Sequence, residues 1–296
     1  MVVAILEPLI PKANDGGMAA FAPASVRDDR VLPLTRIVAY TIVPFLVVAF
    51  AVLYPVPTDT GRLFAWHIVP TLTPMILGSA YLGGAYFFLR AGRAQSWSVI
   101  KGGFVPVAVF ASLMGIATIV HWDKFNHHHV AFWLWAFLYF TTPFLVFWTW
   151  STNRRFGELP ADDGRELPPL AARMTAAVGG LALAVGLFLF AIPSAAIRIW
   201  PWQLTPLTSR VLGAVFCLGL AGVGTLFDRR WTSARLPFEV ALIMLTLILV
   251  AGLRAHAELD AGNPLTWLFA AGFAGLIIAV GGLYGRMERR SAVGAP

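Results

Sequence analysis

Eight long apolar segments make up most of this sequence, and they restrict the folds that it can adopt. Each runs for roughly 18 to 25 residues, enough for a helix to cross the hydrocarbon core of a bilayer. Only 12% of the chain is charged, about half the fraction of a soluble domain. We therefore predict an all-α integral membrane protein. The segments are residues 36–55, 66–89, 99–120, 130–150, 174–193, 207–227, 237–253 and 265–284.

The distribution of basic residues predicts the orientation of these helices. Of the 22 Lys and Arg residues, 17 lie in the two tails and in every second loop. The positive-inside bias therefore puts both termini in the cytoplasm and all six histidines on the outer face. The Ala, Arg, Gly and Pro bias is typical of a high-GC bacterium, so the predicted location is the bacterial cytoplasmic membrane. The basic residues of the alternate loops are Arg62, Lys124, Arg198, Arg210 and Arg254.

An internal repeat organises the chain. Its unit is four helices, an even number, so the two tandem copies are parallel and related by a pseudo-twofold axis along the membrane normal. We predict a disordered cytoplasmic tail at 1–32, repeats at 33–150 and 169–286, a cytoplasmic linker at 151–168 and a cytoplasmic tail at 287–296. One constant shift pairs Pro33 with Pro169, Leu34 with Leu170, Pro57 with Pro193, Arg62 with Arg198, Trp66 with Trp202 and Pro70 with Pro206.

Small and bulky residues predict different packing in the two copies. Ala176-x3-Gly180-x3-Ala184 and Ala271-x3-Gly275 in the second copy favour close helix approach. The last helix of the first copy is instead rich in Phe and Trp, which are typical of lipid-facing or interhelical surfaces. We interpret Glu239, just after Pro237, as a first-turn acid favoured by the helix dipole.

Phosphate-driven transport and standard zincin or hydrolase chemistry are unsupported, because their motifs are missing from the sequence. It has no Walker A loop, no dinucleotide-binding glycine motif, no His-Glu-x-x-His and no Gly-x-Ser-x-Gly. The single cysteine, Cys217, provides neither a disulfide nor a thiolate metal site. The net charge is +7. The basic residues flank apolar runs and do not form a basic patch with interleaved aromatics, so we predict no nucleic-acid partner.

A polar bridge at residues 121–129 holds four of the six histidines. Imidazole and carboxylate groups there can ligate a transition metal, and a pair of histidines can hold a haem. Such a site would belong to the first copy alone, because Gln203 replaces His67 and residues 255–263 keep only His256. A solvated loop without a ligand is the structural alternative. The candidate metal ligands are His67, His121, Asp123, His127 and His129.

A second candidate site comes from residues present in both copies. Arg62 precedes Trp66, and Arg198 precedes Trp202, by four residues in each case. The structural interpretation is a corner in which tryptophan anchors at the membrane interface and arginine reaches headgroups or loop carbonyls. The functional interpretation is a pair of arginines that bind an anion, such as a lipid headgroup, around the pseudo-axis.

Three functional hypotheses follow. The leading one is a membrane protein that binds or transports a small ligand, a transition metal or a haem through the outer His, Asp and Trp cluster. The second is an enzyme acting on a lipid-linked substrate at the outer leaflet, with Asp123 or a histidine as general base. The third is an accessory subunit of a membrane complex that uses the aromatic helix as its interface. The expected partners are the bilayer and either a second copy or another subunit.

Overall fold

The computed structural model describes residues 28–156 and 164–293 of the chain. Within these ranges the backbone is helical, with no strand and two isolated β-bridges. Eight helices there are long and apolar enough to cross a membrane, which confirms the predicted number of spans. Most of the predicted N-terminal tail (residues 1–27), part of the predicted linker (residues 157–163) and the end of the predicted C-terminal tail (residues 294–296) lie outside the described residues.

Eleven α-helices follow one another in the described chain. They are α1 (Pro33–Leu53), α2 (Thr60–Leu63), α3 (Leu72–Arg93), α4 (Trp97–Val120), α5 (Val130–Asn153), α6 (Pro169–Ala191), α7 (Pro193–Ile199), α8 (Pro206–Phe216), α9 (Leu220–Val223), α10 (Trp231–Arg254) and α11 (Pro264–Val293). Helices α8 and α9 join through short 3-10 turns into one span, Pro206–Leu226.

Proline occurs at the start of several helices, but it does not mark the start of α10 as the sequence predicted. It occupies the first turn of α1, α6, α7 and α8, where its missing N–H would have no helical partner in any case. In α10, however, the helix begins at Trp231 and continues through Pro237. Glu239 therefore lies in the third turn, and its interpretation as a first-turn acid is wrong.

Four helices form the centre of the bundle and the others surround them. Helices α3 and α4 contact each other, and both contact α8 and α10; α1 packs on α3, and α6 packs on α8. One row of contacts runs from α5 to α4, then to α10 and then to α11. The most enclosed span is α3, with 78% of its apolar window buried, and the least enclosed is α11, with 11%. Helix α11 is therefore a peripheral element.

The two ends of the bundle are named here by their contents. The histidine face comprises residues 54–71, 121–129, 192–205 and 255–263, and the terminus face comprises residues 28–32, 94–96, 164–168 and 227–230.

At each face the same type of backbone hydrogen bond occurs twice. At the terminus face, Trp97 N–H donates to the Asp29 carbonyl at 2.7 Å, and Trp231 N–H donates to the Arg165 carbonyl at 2.8 Å. At the histidine face, residue 126 donates to the carbonyl of residue 65, and residue 260 donates to that of residue 201. The second contact of each pair follows the first at nearly the interval that separates the matched residues of the sequence, so this local architecture recurs along the chain.

Glycine brings α6 against the broken span formed by α8 and α9. A Cβ added to Gly186 would lie 2.6 Å from the Gly213 carbonyl oxygen, and Gly179 meets the Gly219 carbonyl as closely. Backbones approach in this way only where side chains are absent. The predicted close approach at Gly180 and Gly275 does not occur within the described chain, because an added Cβ meets none of its atoms within 4 Å at either position.

Candidate functional site

The loop at 121–129 is fixed to its own half of the molecule by an aromatic cluster. Phe125 is buried, and its ring centroid lies 5.0 Å from that of Trp66. Trp135 packs on the same indole at 4.9 Å. Trp66 and its counterpart Trp202 are each only 3% exposed. These two tryptophans are therefore part of the core rather than lipid-facing anchors.

The predicted metal ligands lie around this loop with separate contacts. Nδ1 of His129 accepts the Ala131 N–H at the start of α5, and the carboxylate of Asp123 pairs with Lys124 at 2.8 Å. The pKa of Asp123 is held below its usual range by the Lys124 hydrogen bond.

The other two of these histidines also have neighbours of their own. The His127 ring stacks on Trp122 at 5.2 Å, and the exposed His67 ring lies beside Gly61. Across residues 28–156 and 164–289, no three His, Cys, Asp or Glu side chains are placed to hold a metal ion. The structure does not bring the predicted ligands together.

His121 instead bonds to the other half of the molecule. It follows the last residue of α4, and its Nε2 lies 2.7 Å from Nη1 of Arg210 on α8. A guanidinium can only donate, so Nε2 accepts and the ring is neutral. Burial, and then the charge of Arg210, lower the pKa of His121. One of the two ring nitrogens that could ligate a metal is therefore engaged by a cation.

Arg210 itself has no carboxylate partner among the described residues. Its other hydrogen bond is a long one, 3.5 Å to the Pro206 carbonyl. The side chain is half-buried at the junction between α4 and α8. Within the described chain this positive charge bonds to a neutral ring and a carbonyl, and it can still bind an anion.

The two predicted anion-binding arginines have different surroundings. Arg62 pairs with Asp59 at 3.3 Å and is 75% exposed, whereas Arg198 is exposed on α7 with no hydrogen bond or ion pair in the described chain. No contact joins the two side chains there. Whether they share a ligand around an axis stays a prediction.

Three indole donors lie at the histidine face, and two of them lack an acceptor among the described residues. Nε1 of Trp202 donates to Oγ1 of Thr73 at 3.0 Å across the two halves. Nε1 of Trp66 and Nε1 of Trp200 are buried without a hydrogen-bond partner. An indole N–H can only donate, and a buried donor without a partner calls for an explanation. The histidine face therefore has buried donors that lack acceptors.

Sequence reasoning missed Glu258, which joins the halves at this face. Its carboxylate accepts hydrogen bonds from the backbone N–H and hydroxyl of Thr71 and from the N–H of Leu72, at 2.6 to 2.8 Å. These groups open α3, where a negative charge is favoured by the helix dipole. The repeat contained a signal for this residue. The register that pairs Trp133 with Trp267 also pairs Lys124 with Glu258, so the second copy has an acid where the first has a base.

The terminus face holds an open cleft of about 420 Å³ whose charged side chains are paired with one another. Asp228 accepts hydrogen bonds from Arg230 and pairs with Lys101 at 2.6 Å, and Arg229 pairs with Glu166. Burial opposes the ionisation of Asp228, but the hydrogen bonds from Arg230 and Lys101 outweigh it and hold its pKa below the usual range. This ionic cluster ties α4 to the loop before α10.

The fold places the chain in a class. It is a polytopic, all-helical membrane protein with eight apolar helices in the described residues. Comparison with protein-family models, with curated proteins and with solved structures found no match.

Proposed function

We propose that the chain consists of two tandem four-helix units inserted in parallel, with both termini in the cytoplasm of a bacterial inner membrane. The backbone contacts that recur at the interval of the sequence repeat support the duplication. The excess of Lys and Arg at the terminus face supports the orientation. Single cysteines introduced into residues 121–129 and 164–168 test it: an impermeant thiol reagent added to intact cells should label the first group alone.

We propose that the protein binds a small anionic ligand at the histidine face, in the junction between the two units. The observation that carries this proposal is Arg210, a half-buried guanidinium bonded to a neutral His121 and to no carboxylate of the described chain. A carboxylate or phosphate oxygen would give it a charge-assisted hydrogen bond, which is about twice as strong as a neutral one.

Other groups at the histidine face suit the same chemistry. The unpartnered indole N–H groups of Trp66 and Trp200 can only donate, and the exposed cation Arg198 lies on α7, which packs on α8. Acidic side chains nearby are already engaged, Glu258 by α3 and Asp123 by Lys124. The ligand therefore carries an oxyanion group, and it is either a free small molecule or a lipid headgroup.

Binding measurements on detergent-purified protein test this proposal. The probes are inorganic phosphate, succinate and phosphatidylglycerol, with phosphatidylcholine as the lipid without net charge. We expect at least one anionic probe to raise the melting temperature. Free anions acting alone identify a soluble ligand, and phosphatidylglycerol acting alone identifies a headgroup.

Two variants decide whether Arg210 is responsible. Arg210→Gln should weaken binding on the order of tenfold or more, which corresponds to the loss of one charge-assisted hydrogen bond. Arg173→Gln, which removes an exposed arginine from the terminus-face end of α6, is the matched control and should bind normally. Equal binding by both variants and the unmodified protein, or no response to any anion, would refute the proposal.

The enzyme hypothesis has less support. Its candidate base, Asp123, is 70% exposed and pairs with Lys124, which favours a solvated loop over a closed catalytic pocket. The subunit hypothesis is supported by the exposed rings of Phe137, Phe144 and Trp148 on α5.

A further inference from the structure

Two polar side chains of α1 lie together at the terminus face, where this span begins. Arg36 and Tyr40 are four residues apart and therefore share one side of the helix. Nη2 of Arg36 donates to the Ala94 carbonyl at 3.1 Å and to Oε1 of Gln95 at 3.2 Å. The Tyr40 ring lies against Gly92, because a Cβ added to that glycine would be 2.7 Å from Cζ of the ring. Both side chains therefore contact the chain where α3 ends.

The guanidinium of Arg36 has donors that the described chain does not satisfy. The side chain is half-buried, and its Nε is buried without a hydrogen-bond partner among the described residues. A guanidinium has five N–H donors and no acceptor, and a buried donor without a partner calls for an explanation. Since Arg36 is always charged, the acceptor that suits it best is an oxyanion.

The positive charge beside Arg36 is not balanced within the described chain. Arg93 is the residue between the two contacts made by Arg36 and Tyr40, and it is exposed without a hydrogen bond or ion pair to any described residue. The acidic residues before α1 are engaged elsewhere. Asp28 pairs with the adjacent loop arginine at 2.9 Å, and Asp29 accepts a serine hydroxyl of α4 at 2.6 Å. The two cations therefore have no described carboxylate as a partner.

This corner of the molecule opens toward the lipid around the bundle. Tyr40 is 47% exposed, and Ile37, which lies between the two polar residues, is 63% exposed. Only 28% of the apolar window of α1 is buried, so lipid covers much of the helix. Tyrosine is enriched where the hydrocarbon core meets the headgroups, and Arg36 lies in the first turn of the span. A phospholipid lying along α1 would therefore bring its phosphate to Arg36 and Tyr40.

The corresponding positions of the second copy carry no polar side chain. The register of the sequence repeat pairs Arg36 with Ala172 and Tyr40 with Ala176. Both alanines are buried in the packing of α6. Helix α6 thus packs at this level with small apolar residues, and the first turns of α1 and α6 have the same helical backbone. Because the backbone does not require Arg36 and Tyr40, these residues point to a ligand.

We propose that the corner formed by Arg36, Tyr40 and Arg93 binds the headgroup of an anionic phospholipid in the adjacent leaflet. The phosphate oxygens accept hydrogen bonds from Nε of Arg36 and from the Tyr40 hydroxyl. Arg93 supplies a second positive charge, since its Cα is one residue, about 3.8 Å, from each of the contacts at the end of α3. Basic pockets between membrane helices recognise anionic headgroups in this way. The corner lies at the opposite face from Arg210, so it does not depend on anion binding there.

Titration of detergent-purified protein with lipid, followed by native mass spectrometry, tests the proposal. Every protein carries Arg210→Gln, so that binding through Arg210 does not contribute. The probes are phosphatidylglycerol, phosphatidylcholine and inorganic phosphate; the two lipids share a phosphate and differ in net charge. We expect phosphatidylglycerol to bind most tightly. Equal binding of phosphatidylcholine, or displacement of the lipid by an equal concentration of inorganic phosphate, would overturn the assignment to an anionic lipid.

Paired substitutions show whether the corner is the site. Arg36→Gln together with Arg93→Gln should weaken phosphatidylglycerol binding by about tenfold or more, the loss of at least one charge-assisted hydrogen bond. Arg154→Gln together with Arg155→Gln is the matched control, because it removes the same charge from the end of α5 at the same face. This control pair should change binding by less than about twofold, since salt screens distant exposed charges. Equal losses in the two pairs would mean a general attraction to basic residues and would refute a site at the corner.

Two single substitutions keep the test decisive if the Arg36 variant does not fold. Arg93→Gln removes a side chain that bonds to no described residue, and Tyr40→Phe removes only a hydroxyl. Each should weaken phosphatidylglycerol binding by about threefold, the loss of one modest interaction. Unchanged binding in both, with each protein monodisperse in size-exclusion chromatography, would refute the proposal whatever the double variant does.

Discussion

Nε2 of His121 lies 2.7 Å from Nη1 of Arg210, across the junction of α4 and α8. The bond exists only while the imidazole is neutral, because a protonated ring offers the guanidinium no acceptor. Around His121, Asp123 favours the protonated form, whereas Arg210 and Lys124 oppose it. The charge state of one histidine therefore affects how the two halves are joined.

The first prediction concerns the pH dependence of stability. Burial and Arg210 lower the pKa of His121 in the folded protein, so the unfolded chain takes up this proton more readily. The stability gained from the neutral ring is complete above the unfolded pKa, near 6.5. It is lost as pH falls from that value through the lower folded pKa. Melting temperatures of detergent-purified protein should therefore decrease on acidification across this interval.

His121→Gln identifies the group responsible. Glutamine keeps an acceptor for Arg210 but does not titrate. The melting temperature should therefore fall less steeply as the pH is lowered. His128→Gln removes an exposed histidine from the same loop and should leave the pH profile unchanged. A steep acid-side decrease that persists in His121→Gln would assign it to other groups.

The second prediction concerns Glu258, which caps α3 from the other half of the chain. Glu258→Ala removes the acceptor of three hydrogen bonds to Thr71 and Leu72. The loss of a helix cap together with its favourable charge costs about 1 to 2 kcal/mol of unfolding free energy. Reversible unfolding in mixed micelles measures it. His256→Ala, an exposed change two residues earlier, should fall within about 0.5 kcal/mol of the unmodified protein.

The spans were accessible to prediction because apolar length is a local property of the sequence. Six of the eight predicted segments begin within five residues of the observed helices, α5 most closely. The start of α3 was misplaced at Trp66, because an apolar run does not distinguish a helix from the partly buried loop that precedes Leu72. Pro237 was taken as a helix start although the helix continues through it, since neighbouring helices stabilise such a position in a membrane.

The candidate site was harder to predict from the sequence, because its central contact joins residues that are far apart in the chain. The histidines of residues 121–129 were conspicuous, but composition cannot show that His129 caps a helix or that His121 accepts from Arg210. The small-residue spacing had a similar limit. It identified α6 as a packing helix, yet the face that meets α8 carries Gly179 and Gly186 rather than Gly180.

The third prediction concerns Glu239, which joins three helices near the terminus face. Its carboxylate bonds to Arg90 and Tyr86 of α3, to Arg235 of its own helix and to Tyr284 of α11. Glu239→Gln removes the negative charge and leaves the two arginines, each about 40% exposed, without it. Because water partly screens them, the expected cost is about 1 to 2 kcal/mol rather than that of a fully buried pair.

Unfolding in mixed micelles again provides the measurement for Glu239→Gln. Glu166→Gln is the control, since its ion pair with Arg229 is exposed on both sides and should contribute at most about 0.5 kcal/mol. Equal effects of the two substitutions would mean that Glu239 is not the point at which α3, α10 and α11 are held together.

The fourth prediction concerns the glycine contact between α6 and α8. Gly186→Ala places a methyl group about 2.6 Å from the Gly213 carbonyl oxygen and 2.9 Å from the Cys217 nitrogen. Both are backbone atoms, so the helices must separate, at a cost of about 2 kcal/mol. Gly180→Ala, on the same helix, meets nothing within 4 Å and should be neutral or slightly stabilising, because alanine favours helix more than glycine does. Unfolding both variants in the same micelles separates steric contact from helix propensity, and equal losses of stability in the two would exclude the close approach of α6 and α8 as the cause.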